Sequence, residues 1–270
     1  MIQGCLLEGD AGATRLLTDE EWAFFEPFVI ETGPFRGRPP GIHRRVLDAI
    51  FWVARTGIPW RDLPPELGNR NSVHRQYRRW ITSGPWDVLL QALADGGGDA
   101  DALQMIDSTI IRAHHCAGGG KRGTHRQDLG RSRGGFSTKI HLRTNAHGLP
   151  ISLTLTPGEA HDSTAYDVLM GERDSDPGIL LADRGYDNDA IRQDVRDRGG
   201  QPEIPAKRNR RIQLSVQRPL YALRNRIERC INHLKNCRRV ATRYDHTGSS
   251  FLGFVQLAAI RLWISFVHAA

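Results

Sequence analysis

A mixed-direction α/β sheet preceded by a small all-helical region is the architecture that this 270-residue sequence predicts. Three observations carry the prediction. Apolar residues recur at helical spacing up to residue 94, and short β-like runs begin only after the glycine-rich stretch 95–102. Three of those runs then follow one another before helices start to alternate with strands. Consecutive strands favour antiparallel pairing and helix-separated strands favour parallel pairing, so one sheet should contain both.

The elements follow in order. Thr18, with Asp19, Glu20 and Glu21 behind it, reads as the cap of a first helix carrying Trp22, Phe24, Phe25 and Phe28. A second helix is expected over 44–55, where Val46, Leu47, Ile50, Phe51 and Val53 form the apolar stripe. A turn-like run over 57–68 leads to a third helix over 72–81 and a fourth over 86–94. Strands are expected at 104–113, 137–144, 151–156 and 179–182, with turn signals at 145–150 and at Pro157-Gly158. Helices should cover 163–170 and 188–198, a short strand 203–205, and a further helix 219–236, with Pro219 in its first turn. The last apolar run, 251–267, is short for a bilayer span and is interrupted by Gln256 and Arg261, so it is expected to be a buried terminal helix. The expected division is a helical region over 1–95, a linker over 96–103 and an α/β region over 104–270.

The formal net charge is +7, and the basic residues cluster, which points to a polyanionic partner with nucleic acid first among them. Cys5, Cys116, Cys230 and Cys237 lack zinc-type spacing and suit a reducing compartment. The first ten residues carry no secretory pattern, so the chain is expected in the cytoplasm, associated with the nucleoid and not with a membrane. In the third helix Arg75, Arg78 and Arg79 alternate with Val73, Tyr77 and Trp80, which suits one face on DNA and one in a core. The glycine-rich segment 118–135 lacks phosphate-loop spacing; with Lys121, Arg122, Arg131 and Arg133 it reads as a basic hairpin against the DNA backbone. His114, His115, Cys116 and His125 have no paired C-x-x-C, so zinc is not expected there.

Three carboxylates stand out. Asp107 lies inside the apolar run Met105-Ile-Asp-Ser-Thr-Ile-Ile111, where a charge is costly unless paired or coordinating. Asp183 ends the run that begins at Ile179, at a strand end where ligands are commonly held, and Gly185 follows where the chain must turn. Glu228 is the sole acid between Glu203 and Asp245 in a strongly basic stretch; on a helix it shares a face with Tyr221, Arg224 and Lys235. Leu220, Leu223, Ile227, Ile231 and Leu234 fill the adjacent, core-facing side. Three converging carboxylates repel one another unless cations intervene, and Mg²⁺ suits oxygen ligands. Two such ions roughly 3.5 to 4 Å apart support in-line attack at phosphorus, so the reaction class is phosphodiester cleavage and transfer. Asp162, Asp187 and Asp189 are rival acids that spacing leaves open.

Five stretches resemble the DDE transposases of bacterial insertion sequences, of the insertion-sequence-five type. They are Ile106-Asp-Ser-Thr109, Gly130-Arg-Ser-Arg-Gly-Gly-Phe-Ser-Thr-Lys139, Pro157-Gly-Glu-Ala-His-Asp-Ser163, Leu181-Ala-Asp-Arg-Gly-Tyr186 and the helical signature Tyr221-x2-Arg224-x3-Glu228-x6-Lys235. Trp60-Arg-Asp-Leu-Pro64 and Tyr77-Arg-Arg-Trp80 resemble the region that usually precedes them. The resemblance implies a ribonuclease-H-like catalytic region behind a helix-turn-helix-like one, and it assigns the three acids, in order, to Asp107, Asp183 and Glu228. It implies that Arg224 and Lys235 meet DNA near the scissile phosphate; Lys139, closing the second stretch, is placed with the DNA-binding residues. Tyr221 is expected to pack or to stack on a base and not to act as a nucleophile. The function implied is an endonuclease and strand transferase acting with two Mg²⁺ ions, replaceable by Mn²⁺. Its partners would be double-stranded DNA, namely terminal inverted repeats and target, with a homodimer or higher assembly on paired ends. A transposase-derived DNA-binding regulator without catalysis and a structure-specific nuclease are the alternatives.

Overall fold

The computed structural model describes residues 17–29, 43–96, 102–118, 127–171 and 176–267. Its helical first part consists of α1 (Asp19–Val29), α2 (His43–Thr56), α3 (Arg70–Ser83) and α4 (Pro85–Asp95). The first of these starts with a reciprocal cap: Glu21 N donates to Thr18 Oγ1 at 3.0 Å, and Thr18 N donates to Glu21 Oε2 at 2.8 Å. Asn69 caps α3 by accepting from the amides of Asn71 and Ser72. Gly84 supplies the left-handed turn, at φ 76°, that separates α3 from α4.

The sheet is centred on β1 (Leu103–Ala113). A three-residue strand, β2 (Gly130–Ser132), forms a hairpin with β3 (Gly135–Thr144), which runs antiparallel to β1; β4 (Pro150–Pro157) runs antiparallel to β3. After α5 (Tyr166–Gly171), β5 (Ile179–Ala182) lies parallel to the other side of β1. After α6 (Asp189–Asp197), β6 (Gln201–Glu203) lies parallel to β5. The order β4-β3-β1-β5-β6, antiparallel on one flank and parallel on the other, is the ribonuclease-H-like arrangement implied by the resemblance. The chain closes with α7 (Arg218–Tyr221), α8 (Asn225–Lys235), α9 (Arg238–Ala241), the two-residue β7 (Thr242–Arg243) beside the end of β1, and α10 (Gly248–Val267).

Three elements differ from the sequence expectation. The strand expected at 203–205 sits at Gln201–Glu203, because pairing starts where Gln201 N meets Gly178 O and Pro205 has no amide to donate. The helix expected at 163–170 opens as a tighter turn over Asp162–Ala165 before becoming α5. The helix expected at 219–236 is likewise tightened over Ala222–Arg224, between α7 and α8. The glycine-rich linker mostly lies outside the described residues.

Both sheet faces are covered. On one face Ile106, Leu180 and Ala182 pack with Tyr166, Leu169, Met170, Tyr186, Ile191 and Val195 from α5, α6 and the turn between β5 and α6. On the other, Met105, Ile111, Ile140 and Leu142 join Ile227, Ile231 and Leu234 of α8 and Phe251, Phe254, Leu257 and Ile260 of α10. That second core continues without a break into Phe25, Leu47, Ile50, Tyr77, Trp80 and Trp86. The hydroxyl of Tyr77 donates to Ser250 O at 2.6 Å, joining α3 to α10. The boundary near residue 100 therefore marks a change of secondary structure across a shared core. By length and composition α10 could cross a membrane, yet most of its side chains are buried in the protein.

Candidate active site

Side-chain alternation along β1 sends Asp107 and Thr109 to the α8 face and Ser108 to the opposite one. In the parallel register Ile106 is level with Ala182, the last residue of β5, so Asp107 on β1 neighbours Asp183 in the turn that follows β5. Asp107 Oδ1 accepts from the Ser108 amide at 2.9 Å, and Asp183 Oδ1 accepts from the Gly185 amide at 2.8 Å. The helical run carrying the third acid crosses the same face. Arg224 Nη1 donates to Asp107 Oδ2 at 2.7 Å, and its Nη2 donates to Glu228 Oε1 at 2.5 Å. Lys235 Nζ donates to Thr109 Oγ1 at 2.6 Å, one step along the strand from Asp107 on the same face.

Burial raises the pKa of Asp107 above the usual carboxylate value, and the charge of Asp183 adds to the rise, while Arg224 opposes it. The Asp107 and Arg224 side chains are 14% and 17% exposed, against 52% for Glu228. One arginine thus bridges a buried acid and an accessible one. Among the described residues no three His, Cys, Asp or Glu side chains gather tightly enough to hold a metal ion as they stand. The donor chemistry nevertheless fits a hard divalent cation: every candidate ligand is a carboxylate oxygen, and a positive group is already held between two of the three.

The rival acids have other partners. Asp187 is buried, accepts from Arg192 at 2.8 Å and Arg210 at 3.0 Å, and takes the Lys207 amide at 2.7 Å. Asp189 pairs with Arg210 at 2.7 Å. Asp162 lies behind the sheet, accepting from Ser108 Oγ at 2.6 Å and Lys139 Nζ at 2.8 Å.

Of the residues expected to meet DNA, Arg75, Arg78 and Arg79 are exposed on α3, while Val73, Tyr77 and Trp80 are buried on its other side. Arg131 and Arg133 are exposed around the β2–β3 turn, with the Arg131 guanidinium over the Phe136 ring at 4.9 Å. Lys121, Arg122 and His125 lie outside the described residues. Tyr221 is half-buried beside Arg224, whose guanidinium carbon is 5.9 Å from its ring centre. Lys139 is a correction: it is buried, and its ammonium is taken up by Ala160 O at 2.6 Å and by Asp162, so it presents no charge to a phosphate. The strand register explains this, since Lys139 stands opposite Ile110 on the same face as Ser108. Ser108, the hydroxyl directly after Asp107, is turned to the opposite face, where it donates to Asp162. At the His-Cys group, His114 Nδ1 lies 3.0 Å from Cys116 Sγ, which in turn points to Tyr244 O.

Comparison with known proteins places these residues in a family. Residues 17–90 match the family described as "Putative transposase of IS4/5 family", and residues 100–263 match the "Transposase DDE domain" family. A putative transposase for insertion sequence element IS6501 of Brucella ovis is 33% identical over 131 residues, spanning 48% of this chain and 99% of that one. An uncharacterized protein, y4sN, of Sinorhizobium fredii is 44% identical over 108 residues, 39% of this chain and 83% of its own. Among solved structures, a piggyBac transposase synaptic complex with hairpin DNA aligns at 12% identity and a TM-score of 0.48, covering 91% of this chain and 70% of that one. With the DDE-domain match extending over more than half of its length, the chain belongs to the DDE transposases of insertion sequences.

Proposed function

We propose that the protein binds the terminal inverted repeats of its insertion element, cuts DNA strands there in a reaction that requires divalent metal, and transfers them to target DNA. The observation that carries this reading is the placement of Asp107 on β1 beside Asp183, directly after the end of the parallel strand β5, with Glu228 brought over the same face by α8. The three acids would hold Mg²⁺, or Mn²⁺ in its place, two ions to a site. When bound, such ions lower the pKa of an attacking water or 3′-hydroxyl and stabilise the leaving oxygen.

The chain's own residues prepare that chemistry. The Ser108 amide fixes one oxygen of Asp107 and leaves the other facing α8. Arg224 cancels charge between Asp107 and Glu228, and its planar guanidinium would offer a phosphate oxygen of bound DNA a bidentate donor. Lys235, tied to Thr109, adds a positive charge on the same face. The exposed arginines of α3 and of the β2–β3 turn supply the nonspecific attraction to the duplex. Assembly of at least two copies on paired ends belongs to the same reading.

The test uses purified full-length protein and a duplex bearing the element's end. Asp107→Asn, Asp183→Asn and Glu228→Gln should each abolish cleavage while end binding, followed by fluorescence anisotropy, stays within about threefold of wild type, because the basic surface is untouched. Cleavage should need Mg²⁺ or Mn²⁺ and fail in Ca²⁺, whose looser coordination positions the attacking oxygen poorly. Cleavage in excess chelator would overturn the metal-dependent reading. Cleavage without joining of 3′ ends to new DNA would reduce the activity to that of a nuclease, and binding without cleavage to that of a regulator.

A further inference from the structure

Behind the face that carries the three acids lies a second, half-buried polar group to which the reaction above gives no role. Asp162 Oδ1 accepts from Ser108 Oγ at 2.6 Å and from Lys139 Nζ at 2.8 Å. The same ammonium holds Ala160 O at 2.6 Å, which fixes the loop carrying Asp162 against β3. The other oxygen of Asp162 points at the turn after β5. A Cβ placed on Gly185 would lie 2.8 Å from Asp162 Oδ2 and 2.9 Å from Asp183 Oδ1, so Asp162 and Asp183 both crowd the space beside the Gly185 α-carbon. Tyr186, buried beneath them, completes the packing, and burial followed by the charges of Asp162, Asp107 and Asp183 pushes its phenol well above the usual pKa. Asp162 therefore touches, through Ser108, the residue next to one proposed ligand and, through the Gly185 turn, the backbone that orients the other.

We propose that Asp162 is a positioning residue for the metal-facing acids: held by Lys139 and Ser108, it braces β1 and the β5 turn from the rear so that Asp107 and Asp183 face the metal at a fixed separation. Groups that hold metal ligands from behind act in this way. A carboxylate ligand left free to rotate loses affinity, although none of its own oxygens is removed. The Lys139 charge belongs to this brace, since the buried ammonium needs an anion beside it and Asp162 Oδ1 is 2.8 Å from Lys139 Nζ. The inference rests on the metal-dependent reading above, and the experiment keeps the two apart.

Mn²⁺ binding to the full-length protein, followed by electron paramagnetic resonance of the free ion, reports on the site without any turnover. Asp162→Asn should weaken Mn²⁺ binding and lower kcat for end cleavage, each about 10-fold or more, with KM for the duplex within about twofold. Ser108→Ala removes one hydrogen bond without stranding a charge, and should shift both quantities in the same direction by about threefold. It serves as the deciding variant if Asp162→Asn fails to fold. Wild-type Mn²⁺ affinity in folded Asp162→Asn or in Ser108→Ala, whatever their melting temperatures, would show the cluster to be structural only and overturn the inference. Asp107→Asn is the reference: if it too binds Mn²⁺ like wild type, the metal reading itself has failed and the inference falls with it. If only Asp107→Asn loses the ion, the inference fails alone.

Discussion

Arg224 stands between Asp107 and Glu228, 2.7 Å from an oxygen of the first and 2.5 Å from an oxygen of the second. On the function proposed above, the guanidinium occupies the space where two of the three acids would share a cation. The Arg224 guanidinium thus offsets the repulsion between these two carboxylates. Arg224→Ala should destabilise it by about 2 kcal/mol, below the usual loss for a fully buried pair because Glu228 is half exposed. Millimolar Mg²⁺ should then raise the melting temperature of the variant more than that of wild type, since the ion replaces a lost charge. Scanning fluorimetry with and without Mg²⁺ measures both gains, and equal gains would show that Arg224 and the metal do not compete.

Gly185 is confined from two sides, by Asp162 and by Asp183. Adding a single methyl group there forces one of the two carboxylates to move. Gly185→Ala should lower cleavage about 100-fold, the scale at which displacement of a catalytic group by about an ångström is felt, and should cost about 1 to 3 kcal/mol of stability. Steady-state kinetics beside urea unfolding checks the prediction. Full activity would mean that the turn can yield without moving Asp183.

The exposed arginines of α3 make a prediction about salt. Replacing Arg75 and Arg78 with alanine should weaken end binding and lower the slope of log K against log salt by about one for each lost phosphate contact. Neither side chain is buried, so stability should hardly change. Anisotropy across a salt series separates the outcomes: an unchanged slope moves recognition of the end elsewhere on the protein.

His141 makes a prediction about acid. It is fully buried, with Nε2 2.7 Å from Thr156 Oγ1, and burial pushes its pKa from 6.5 down to about 4, Asp162 opposing the shift and Lys139 adding to it. Between those two values the unfolded chain binds the proton and the folded one does not, so stability falls as the pH drops from 6.5 to 4, by about 3 kcal/mol in all. Asp162 works in a lower window. Burial disfavours its charge, but the bonds from Lys139 and Ser108 prevail and depress its pKa, so its contribution is lost only as the pH falls below the ordinary aspartate value. His141→Gln should flatten the upper window and leave the lower one. Urea midpoints at pH 7, 5.5 and 4 would reveal it.

Much of this could be read from the chain because it is local. The Thr18 cap, the glycine that separates α3 from α4, and the strands bearing Asp107 and Asp183 are set by neighbours within a few residues. The three acids could be singled out because a charge in an apolar run, at a strand end or alone among cations has a cost that calls for a partner. Lys139 could not be read correctly. β3 is buried on both faces from Ser137 to Thr144, so alternation of polar and apolar residues did not reveal which side is wet. Asp162 sits in a loop whose course depends on Lys139 Nζ reaching Ala160, a contact invisible to periodicity. The sharing of one core by α1–α4 and α10 likewise depends on packing between segments far apart in the chain, such as Tyr77 and Ser250.

That shared core has a mechanical consequence. With Tyr77 of α3 bonded to Ser250 of α10, and α10 packed with α8 in the same core, the surface offered by Arg75 and Arg78 and the acids near Arg224 are seated on one continuous core. On the function proposed above, an end gripped by α3 meets the cutting centre at a spacing built into the protein, as work is held against the fixed stop of a lathe. Lengthening the glycine-rich segment around residue 98 should therefore leave the cut at the same nucleotide, whereas loosening Tyr77 with phenylalanine should blur it across neighbouring positions.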